Sequence, residues 1–386
     1  IKLAKKAARK SIVLLKNNGI LPLDVTKLNS IGVIGPNANS RASLIGNYHG
    51  TSSRYVTVLE GIQKVCDKND IRVHYSDGSH LFKERVENLA FDDDRISEAV
   101  IVAKNSDVVV LVVGLDETLE GEEGDTGNSY ASGDKETLNL PASQMRMIET
   151  LEAVGKPIIL INMTGSAMDL AFAKNNDTYG AILQAWYPGC MGGKAIADIL
   201  FVKISPSGKL PVTFYNSLDE LPDFEDYSMK GRTYKYMENP AQYPFGFGLT
   251  YANVEMTGAS LENEENAKSL IKSDNVYDGS ISVRANIKNT SGIKTDEVVQ
   301  VYIKNHNSEY AVRNHSLCGF KRVGLDAFEE KEVTINIPSR AFMVVNEEGK
   351  YIQDGDKFTL YVGVSQPDEV SVSLCKVNPL KIEINL

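Results

Sequence analysis

The run of residues 107–114, Asp-Val-Val-Val-Leu-Val-Val-Gly, constrains the fold more than any other feature of the sequence. Every residue from Val108 to Val113 is apolar, and all but Leu111 are β-branched. A strand with one face in water alternates apolar and polar side chains, whereas a strand that is covered on both faces is apolar throughout. The run therefore predicts a central strand of a parallel sheet with helices on both of its faces.

Comparable apolar runs recur along the first half of the chain, and helical patterns separate them. Strands are predicted at residues 30–35, 71–75, 107–114, 157–163, 181–187 and 209–214, and helices at 2–16, 56–66, 95–104, 142–154 and 192–201. Regular alternation of strands and helices is typical of an α/β fold. Over residues 30–215 it predicts an α/β sandwich with an open, mostly parallel sheet.

The pattern changes after residue 252. Short strands with alternating polarity are predicted at residues 280–286, 298–304, 331–337, 358–364 and 370–374. Such strands, separated by polar turns, indicate an all-β sandwich of the immunoglobulin type. The predicted organisation is an entry helix at 1–17, an α/β domain at 18–215, an irregular connector at 216–252 and a β-sandwich at 253–386.

Composition disfavours several classes of partner. The net charge of −10 disfavours nucleic acid and anionic membrane surfaces, which attract basic patches. The four cysteines are far apart, so we expect neither a metal site nor a disulfide framework, and no cofactor. The chain starts at Ile1 without Met, which suggests a region of a longer polypeptide; the bacterial cytoplasm is the favoured compartment, with secretion left open.

The loop that follows the buried run, residues 115–140, is long and acidic. It carries eight carboxylates and the single base Lys135. Ligands of open α/β sheets bind beyond the carboxyl ends of the strands, and long loops inside compact domains are usually functional. Crowded carboxylates favour keeping one of them protonated, as a general acid requires. A site for a hard cation such as Ca²⁺ is one alternative. A solvated surface loop is the other, and composition alone favours it.

The loop after the first strand of the sheet has a different composition. Residues 46–55 combine glycine, aromatic rings and hydrogen-bonding groups, which suits the apolar faces and polar edges of a sugar. A glycine-rich turn with surface tyrosines is an equally good interpretation. Residues 187–193 lack the lysine and the spacing of a phosphate-binding loop, so a nucleotide-binding function is disfavoured.

Several ordered motifs resemble those of family 3 glycoside hydrolases across nearly the whole chain. They lie at residues 8–19, 34–38, 185–189, 206–211, 231–234, 243–251 and 319–323. The resemblance implies that the α/β domain supplies the acid/base glutamate from its acidic loop. Glu122 matches that position best. Glu120 and Glu123 are alternatives, because the neighbouring acidic residues leave the register ambiguous.

The same resemblance implies further site residues. Tyr48, His49 and Tyr55 would form an outer sugar subsite. Asp134 and Lys135 would correspond to an Asp-Arg pair, and the change from Arg to Lys puts a bidentate contact in doubt. The β-sandwich would be the fibronectin type III-like domain of the family.

The expected activity is retaining hydrolysis of terminal β-D-glucosyl residues, with β-xylosidase activity as the alternative. The family's nucleophile is an Asp on a (β/α)8 barrel of about 250 residues. We find no such barrel in these 386 residues, so it is expected in the same polypeptide or in a second chain. Without a barrel partner, the chain would be a non-catalytic carbohydrate-binding or structural module.

Overall fold

A computed structural model describes residues 1–47, 49–85, 90–91, 93–122, 135–272 and 279–386. Contacts divide the chain into two compact units. Unit 1 comprises residues 1–208 and 216–218, and unit 2 comprises residues 209–215 and 219–386. Within the described ranges, every helix is too short or too polar to cross a lipid bilayer.

Unit 1 is an α/β sandwich, as predicted. Its helices are α1 (Lys2–Ser11), α2 (Val58–Cys66), α3 (Ile96–Lys104), α4 (Ala142–Glu152), α5 (Ala171–Lys174) and α6 (Gly192–Leu200). Its strands are β1 (Val13–Asn17), β2 (Ser30–Ile34), β3 (Arg72–Ser76), β4 (Val108–Gly114), β5 (Ile158–Met163) and β6 (Tyr179–Gln184). The sheet order is β1-β6-β5-β4-β2-β3, and only β1 is antiparallel to its neighbour. Helix α6 packs against α1 and α2, and α3 packs against α4, which gives the two helical layers.

The central strands pack closely because β4 ends in Gly114 and Gly35 directly follows β2. All residues of β4 and β5 are buried. A Cβ atom on Gly114 would lie 2.0 Å from the Met163 carbonyl oxygen, and one on Gly35 would lie 2.0 Å from the Val112 carbonyl oxygen. Both glycines have positive φ, which residues with a side chain rarely adopt. The loops that begin there therefore leave the sheet at fixed positions.

Two predicted elements of the first half are wrong. The helix predicted at 2–16 ends at Ser11, and β1 follows it as an edge strand paired with β6. Four consecutive apolar residues, 12–15, are all buried and fit a strand as well as a helix, so the pairing with β6 decided the conformation. The strand predicted at 209–214 forms only one isolated bridge, from Phe214 to Tyr243. Pro211 has no N–H group to donate to a sheet.

Unit 2 is built on an antiparallel β-sandwich, as predicted. Its helices are α7 (Thr233–Tyr236), α8 (Glu264–Lys272) and α9 (Glu369–Cys375). Its strands are β7 (Val254–Leu261), β8 (Ser280–Asn289), β9 (Thr295–Asn305), β10 (Ser316–Leu325), β11 (Glu330–Pro338), β12 (Val344–Val345), β13 (Tyr351–Ile352), β14 (Lys357–Gly363) and β15 (Leu380–Asn385). The sheets β10-β9-β14-β15 and β11-β8-β7 enclose an apolar core, and β12 pairs with β13.

The strand predicted at 370–374 is wrong, because these residues form α9. Asp368 caps the helix, and its Oδ1 accepts a hydrogen bond of 3.0 Å from the Ser371 amide. An aspartate in this position satisfies one of the amides that a helix start leaves without a partner. The alternation of valine and serine suggested a strand, but the cap was the stronger local signal.

Candidate active site

Glu120 lies at the carboxyl edge of the unit 1 sheet and ties three loops together. The Gly165 amide donates a hydrogen bond of 2.6 Å to Glu120 Oε2. The Ser166 hydroxyl donates to Oε1, and the Tyr187 hydroxyl donates to Oε2. Gly165 and Ser166 follow β5, and Tyr187 follows β6, so one carboxylate joins the loops of three adjacent strands. These donors tie the Glu120 carboxylate to the loops after β5 and β6.

The turn that carries Glu120 is fixed by Asp116, which comes directly after Leu115 at the end of β4. The Asp116 carbonyl accepts hydrogen bonds from the amides of Leu119 and Glu120, at 3.0 and 2.9 Å. Asp116 Oδ1 accepts hydrogen bonds from the Thr118 amide and hydroxyl, at 2.9 and 2.6 Å. Leu119 is fully buried and anchors the turn in the core of unit 1. The first part of the acidic loop is therefore an ordered turn of the kind that aspartate side chains stabilise.

The ring of Tyr187 occupies a slot between two glycines. A Cβ atom on Gly46 would lie 2.5 Å from Tyr187 Cδ2, and one on Gly165 would lie 2.9 Å from Cε2. Burial, with a further contribution from the Glu120 carboxylate, raises the pKa of Tyr187 well above its ordinary value. The phenol therefore stays protonated and donates its hydrogen to Glu120. Residues 187–193 were considered only as a phosphate-binding loop, so sequence reasoning missed the role of Tyr187.

A buried polar network supports the loop after β5. Asn162 Nδ2 donates to Gln184 Oε1 at 2.6 Å and to Thr164 Oγ1 at 3.0 Å. Gln184 Nε2 donates to the Thr164 carbonyl at 3.0 Å, and the Thr164 hydroxyl donates to the Ser166 carbonyl at 2.9 Å. Asn162, Thr164 and Gln184 are fully buried. Amide side chains within otherwise apolar strands were the sequence signal for this network, and it went unused.

Lys135 belongs to the returning end of the acidic loop. Its Nζ donates a hydrogen bond of 2.7 Å to the Ala167 carbonyl, in the loop after β5. Burial lowers the pKa of Lys135, and the nearby Glu120 carboxylate acts in the opposite direction. Asp134, predicted to contact substrate, lies outside the described residues. The structure therefore places only the lysine of the predicted Asp-Lys pair.

Two of the three candidate acid/base glutamates are described, and their environments differ. Glu120 is partly buried and accepts hydrogen bonds from three donors, whereas Glu122 is exposed. Glu123 lies outside the described residues. Hydrogen bonds fix the turn from Asp116 to Glu120, and Glu122 lies two residues beyond this turn.

His49 and Tyr55 belong to the loop after β2. His49 Nε2 lies 3.0 Å from Glu117 Oε2, and the two side chains are 32% and 39% exposed. The loop after β2 and the acidic loop therefore lie side by side. The Tyr55 hydroxyl accepts a hydrogen bond of 2.9 Å from the Ser52 amide in its own loop. Tyr48 lies outside the described residues.

A cavity of about 330 Å³ opens near the ends of β2, β3 and β4. Its walls include Ser40, His80, Arg95 and Asp116. His80 Nδ1 accepts hydrogen bonds from the Phe82 and Lys83 amides, at 3.2 and 3.0 Å. Burial, followed by the nearby cationic side chains, lowers the pKa of His80, so its imidazole is neutral at pH 7. His80 therefore stabilises the turn formed by the residues that follow it.

Trp186 follows β6 and is only half-buried, and its Nε1 donates a hydrogen bond of 3.1 Å to the Ser11 carbonyl. The four cysteine thiols are free. Within the described ranges, no three His, Cys, Asp or Glu side chains converge as metal ligands; residues 123–134 of the acidic loop lie outside those ranges.

The fold is that of a glycoside hydrolase domain. Residues 12–251 match the glycosyl hydrolase family 3 C-terminal domain, and residues 297–366 match the fibronectin type III-like domain. The chain belongs to glycosyl hydrolase family 3.

Curated relatives of the chain are glycosidases. A β-xylosidase of Formosa agariphila is 31% identical over 374 residues, which cover 94% of this chain and 48% of that protein. A periplasmic β-glucosidase of Salmonella typhimurium is 30% identical, with 94% and 48% covered. The chain spans about half the length of the curated relatives it matches.

Solved structures show the same relationship. The GH3 β-glucosidase of Bifidobacterium adolescentis superimposes with a TM-score of 0.79 at 28% identity, covering 100% of this chain and 53% of that one. A GH3 exo-β-xylosidase in complex with a xylobiose aziridine probe superimposes with a TM-score of 0.80 at 26% identity, covering 100% and 48%.

Proposed function

We propose that this chain supplies the acid/base glutamate and the outer sugar subsite of a retaining exo-β-glycosidase. Glu122 is the acid/base residue. The observation that carries the proposal is the contrast between Glu120, held by donors from the loops after β5 and β6, and the exposed Glu122 two residues later. The first carboxylate fixes the loop, and the second is presented to substrate.

The chemistry requires a second carboxylate, which we place on a (β/α)8 barrel in the same polypeptide or in a second chain. That Asp attacks the anomeric carbon while Glu122 protonates the departing glycosidic oxygen. The resulting glycosyl-enzyme ester is then hydrolysed by a water molecule that Glu122 deprotonates. A precisely held loop matters because misplacing a reacting group by about 1 Å can cost about 10²-fold in rate.

The substrate is a β-linked glucoside or xyloside. Tyr48, His49 and Tyr55 are assigned to the outer subsite, and Asp134 is assigned to substrate binding. The approach of His49 to Glu117 supports this assignment, because it brings the loop after β2 next to the acidic loop that carries Glu122. The names of the relatives support both sugars, since β-xylosidases and β-glucosidases match the same region.

The test uses the enzyme that contains both this chain and the barrel. Glu122→Ala should lower kcat/KM by about 10²–10⁴ on substrates with a poor leaving group. Aryl β-glucosides and β-xylosides with a good leaving group should keep the first chemical step, because they need no proton. Azide should restore turnover in this variant and give a β-glycosyl azide, since the small anion replaces the activated water.

Glu120→Ala and Glu123→Ala are the matched controls. Glu120→Ala should reduce activity without azide rescue, because it releases the loop but leaves the acid/base carboxyl present. Azide rescue in either control variant, instead of Glu122→Ala, would move the assignment to that residue. Full activity in all three variants would leave the chain as a carbohydrate-binding or structural module.

A further inference from the structure

Residues 223–232 of unit 2, termed here the aromatic loop, expose two large rings to solvent. Phe224 is 92% exposed and Tyr227 is 91% exposed, more than any other large hydrophobic side chain within the described ranges. Met229 is 47% exposed in the same loop. Single exposed apolar residues are common, but a cluster of aromatic and methionine side chains is typical of a binding surface.

The aromatic loop is held in shape by its own backbone and by Arg232. The guanidinium Nη2 donates hydrogen bonds to the carbonyls of Asp223 and Asp226, at 2.9 and 2.6 Å. Its Nε donates to the Ser228 carbonyl at 3.2 Å. Three carbonyls bound to one guanidinium fix the path of the chain across the base of the loop. Arg232 thus fixes the loop through backbone carbonyls, and these three hydrogen bonds do not involve the two exposed rings.

The aspartates add two local turns. Asp223 Oδ1 accepts a hydrogen bond of 2.9 Å from the Glu225 amide, and Asp226 Oδ1 accepts one of 2.8 Å from the Ser228 amide. Each turn directly flanks one of the rings. Aromatic side chains on a preorganised loop lose little conformational entropy on binding, which is why such residues dominate interface energies.

We propose that the aromatic loop docks onto the barrel domain, with Phe224 and Tyr227 as the buried anchors. This inference rests on the proposed function, because it takes the barrel as the missing partner. The chain spans about half the length of its relatives, so a partner of similar size is available to cover the rings. The barrel should offer an apolar depression for each ring.

The charge of the region disfavours a second copy of this chain as the partner. Residues 219–232 contain five acidic residues and two basic ones, which gives a net charge of −3. A symmetric dimer would bring two such surfaces face to face, and like charges across an interface are unfavourable. The docking surface on the barrel should therefore carry basic residues around its apolar centre.

Hydroxyl-radical footprinting tests the inference. Oxidation rates are measured by mass spectrometry for this chain alone and for the enzyme that includes the barrel. Burial of the rings should lower oxidation of Phe224 and Tyr227 by about tenfold in the enzyme, as expected for anchors at the centre of an interface. Phe320 and Phe328, which are 66% and 67% exposed in the same unit, are the internal references and should keep their rates.

The outcomes separate this inference from the proposed function. An enzyme with Glu122-dependent activity but unchanged oxidation of both rings would overturn the docking inference alone. Protection of the rings without Glu122-dependent activity would support docking and overturn the acid/base assignment. Protection that appears in this chain alone as its concentration rises would identify a second copy as the partner and overturn the inference.

A double variant gives a second measurement. Phe224→Ala combined with Tyr227→Ala should leave the melting temperature of this chain unchanged, since both side chains are almost fully exposed. In the enzyme, the same variant should increase proteolytic cleavage between the barrel and this chain, or weaken the two-chain complex, by about 10²-fold. Phe320→Ala is the matched control and should change neither. Equal behaviour of the double variant and the control would contradict the inference.

Discussion

Unit 1 and unit 2 each bury a set of polar side chains, but they use them differently. At the carboxyl edge of unit 1, Asn162, Gln184 and Glu120 join loops that follow parallel strands. In unit 2, Gln300 on β9 donates hydrogen bonds of 2.9 Å to the carbonyls of Gly246 and Val364. The first set positions loops where a ligand would bind, and the second fastens a chain segment to a sheet. Similar hydrogen bonds can therefore serve function in one region and stability in the other.

The unit 2 contacts include an ion pair that is almost buried. Lys209 Nζ lies 2.8 Å from Glu297 Oε1, and the two side chains are 10% and 3% exposed. Lys209 Nζ also donates a hydrogen bond of 2.7 Å to the Gly248 carbonyl. The pair joins the segment that begins at residue 209 to β9, on the strand face that also carries the core residues Val299 and Val301.

The largest predicted effect comes from breaking that pair. Lys209→Met should lower the free energy of unfolding of unit 2 by about 3–5 kcal/mol, because it leaves the Glu297 carboxylate buried without its cation. Urea titration measures the change in the free energy of unfolding, and hydrogen exchange of the β9 amides shows that the change lies in unit 2. Lys209→Met combined with Glu297→Leu should recover most of the loss, since no buried charge then remains. A single variant as stable as the wild type would contradict this account of the pair.

A pair of glycine substitutions compares the two regions directly. A Cβ atom on Gly165 would lie 2.9 Å from Tyr187 Cε2 and 3.2 Å from Glu120 Oε2. Gly165→Ala should therefore shift the glutamate loop and lower kcat of the enzyme by up to about 10²-fold. Gly246→Ala, at φ +77°, would place its Cβ 2.4 Å from Tyr302 Oη.

The expected readout of the second glycine variant is stability. Gly246→Ala should destabilise unit 2 by about 1–3 kcal/mol because of the left-handed backbone and the crowding. Activity at low temperature should remain unchanged. Thermal unfolding and steady-state kinetics on both variants provide the comparison. The distinction between the regions fails if Gly246→Ala reduces kcat as much as Gly165→Ala does.

Two tyrosine variants probe the same contrast with a smaller change. Tyr187→Phe removes a hydroxyl that donates to Glu120, and a hydrogen bond to a charged group is worth about 1.5–3 kcal/mol. We expect kcat to fall by about tenfold. Tyr302→Phe removes a hydrogen bond of 2.6 Å to Gln300 Oε1 and should cost about 1 kcal/mol of unit 2 stability, with no kinetic effect. A lower kcat in Tyr302→Phe would contradict the proposal that the hydrogen bonds of unit 2 serve stability alone.

The smallest effect concerns pH. Burial lowers the pKa of His315, although its hydrogen bond to Gln366 acts in the opposite direction. The unfolded chain therefore binds a proton more readily than the folded chain does. Stability from the neutral histidine is complete above about pH 6.5 and decreases below it. The urea midpoint for unfolding of unit 2 should decrease as the pH is lowered from 7.5 to 5.5. His315→Asn should make this decrease smaller. An unchanged slope in the variant would exclude His315 as the cause.

The fold was largely predictable because strand and helix periodicities are local properties of the sequence. The uninterrupted run in β4 and the alternation in β8 each specify how many faces of a strand are covered. The failures occurred where a short apolar run fits two periods, as at residues 12–15, or where a helix cap outweighed alternation, as at Asp368. The candidate site was predictable only to the level of the acidic loop.

The sequence by itself determined the two fold classes, the acidic loop beyond a buried strand and the family motifs. Only the tertiary structure showed that Glu120 and Glu122 have different environments, because the donors to Glu120 come from Gly165, Ser166 and Tyr187, which are 45 or more residues away in the chain. Hydrogen bonds between distant loops depend on strand order, and the β6-β5-β4 adjacency that brings these loops together is decided by packing of the whole sheet.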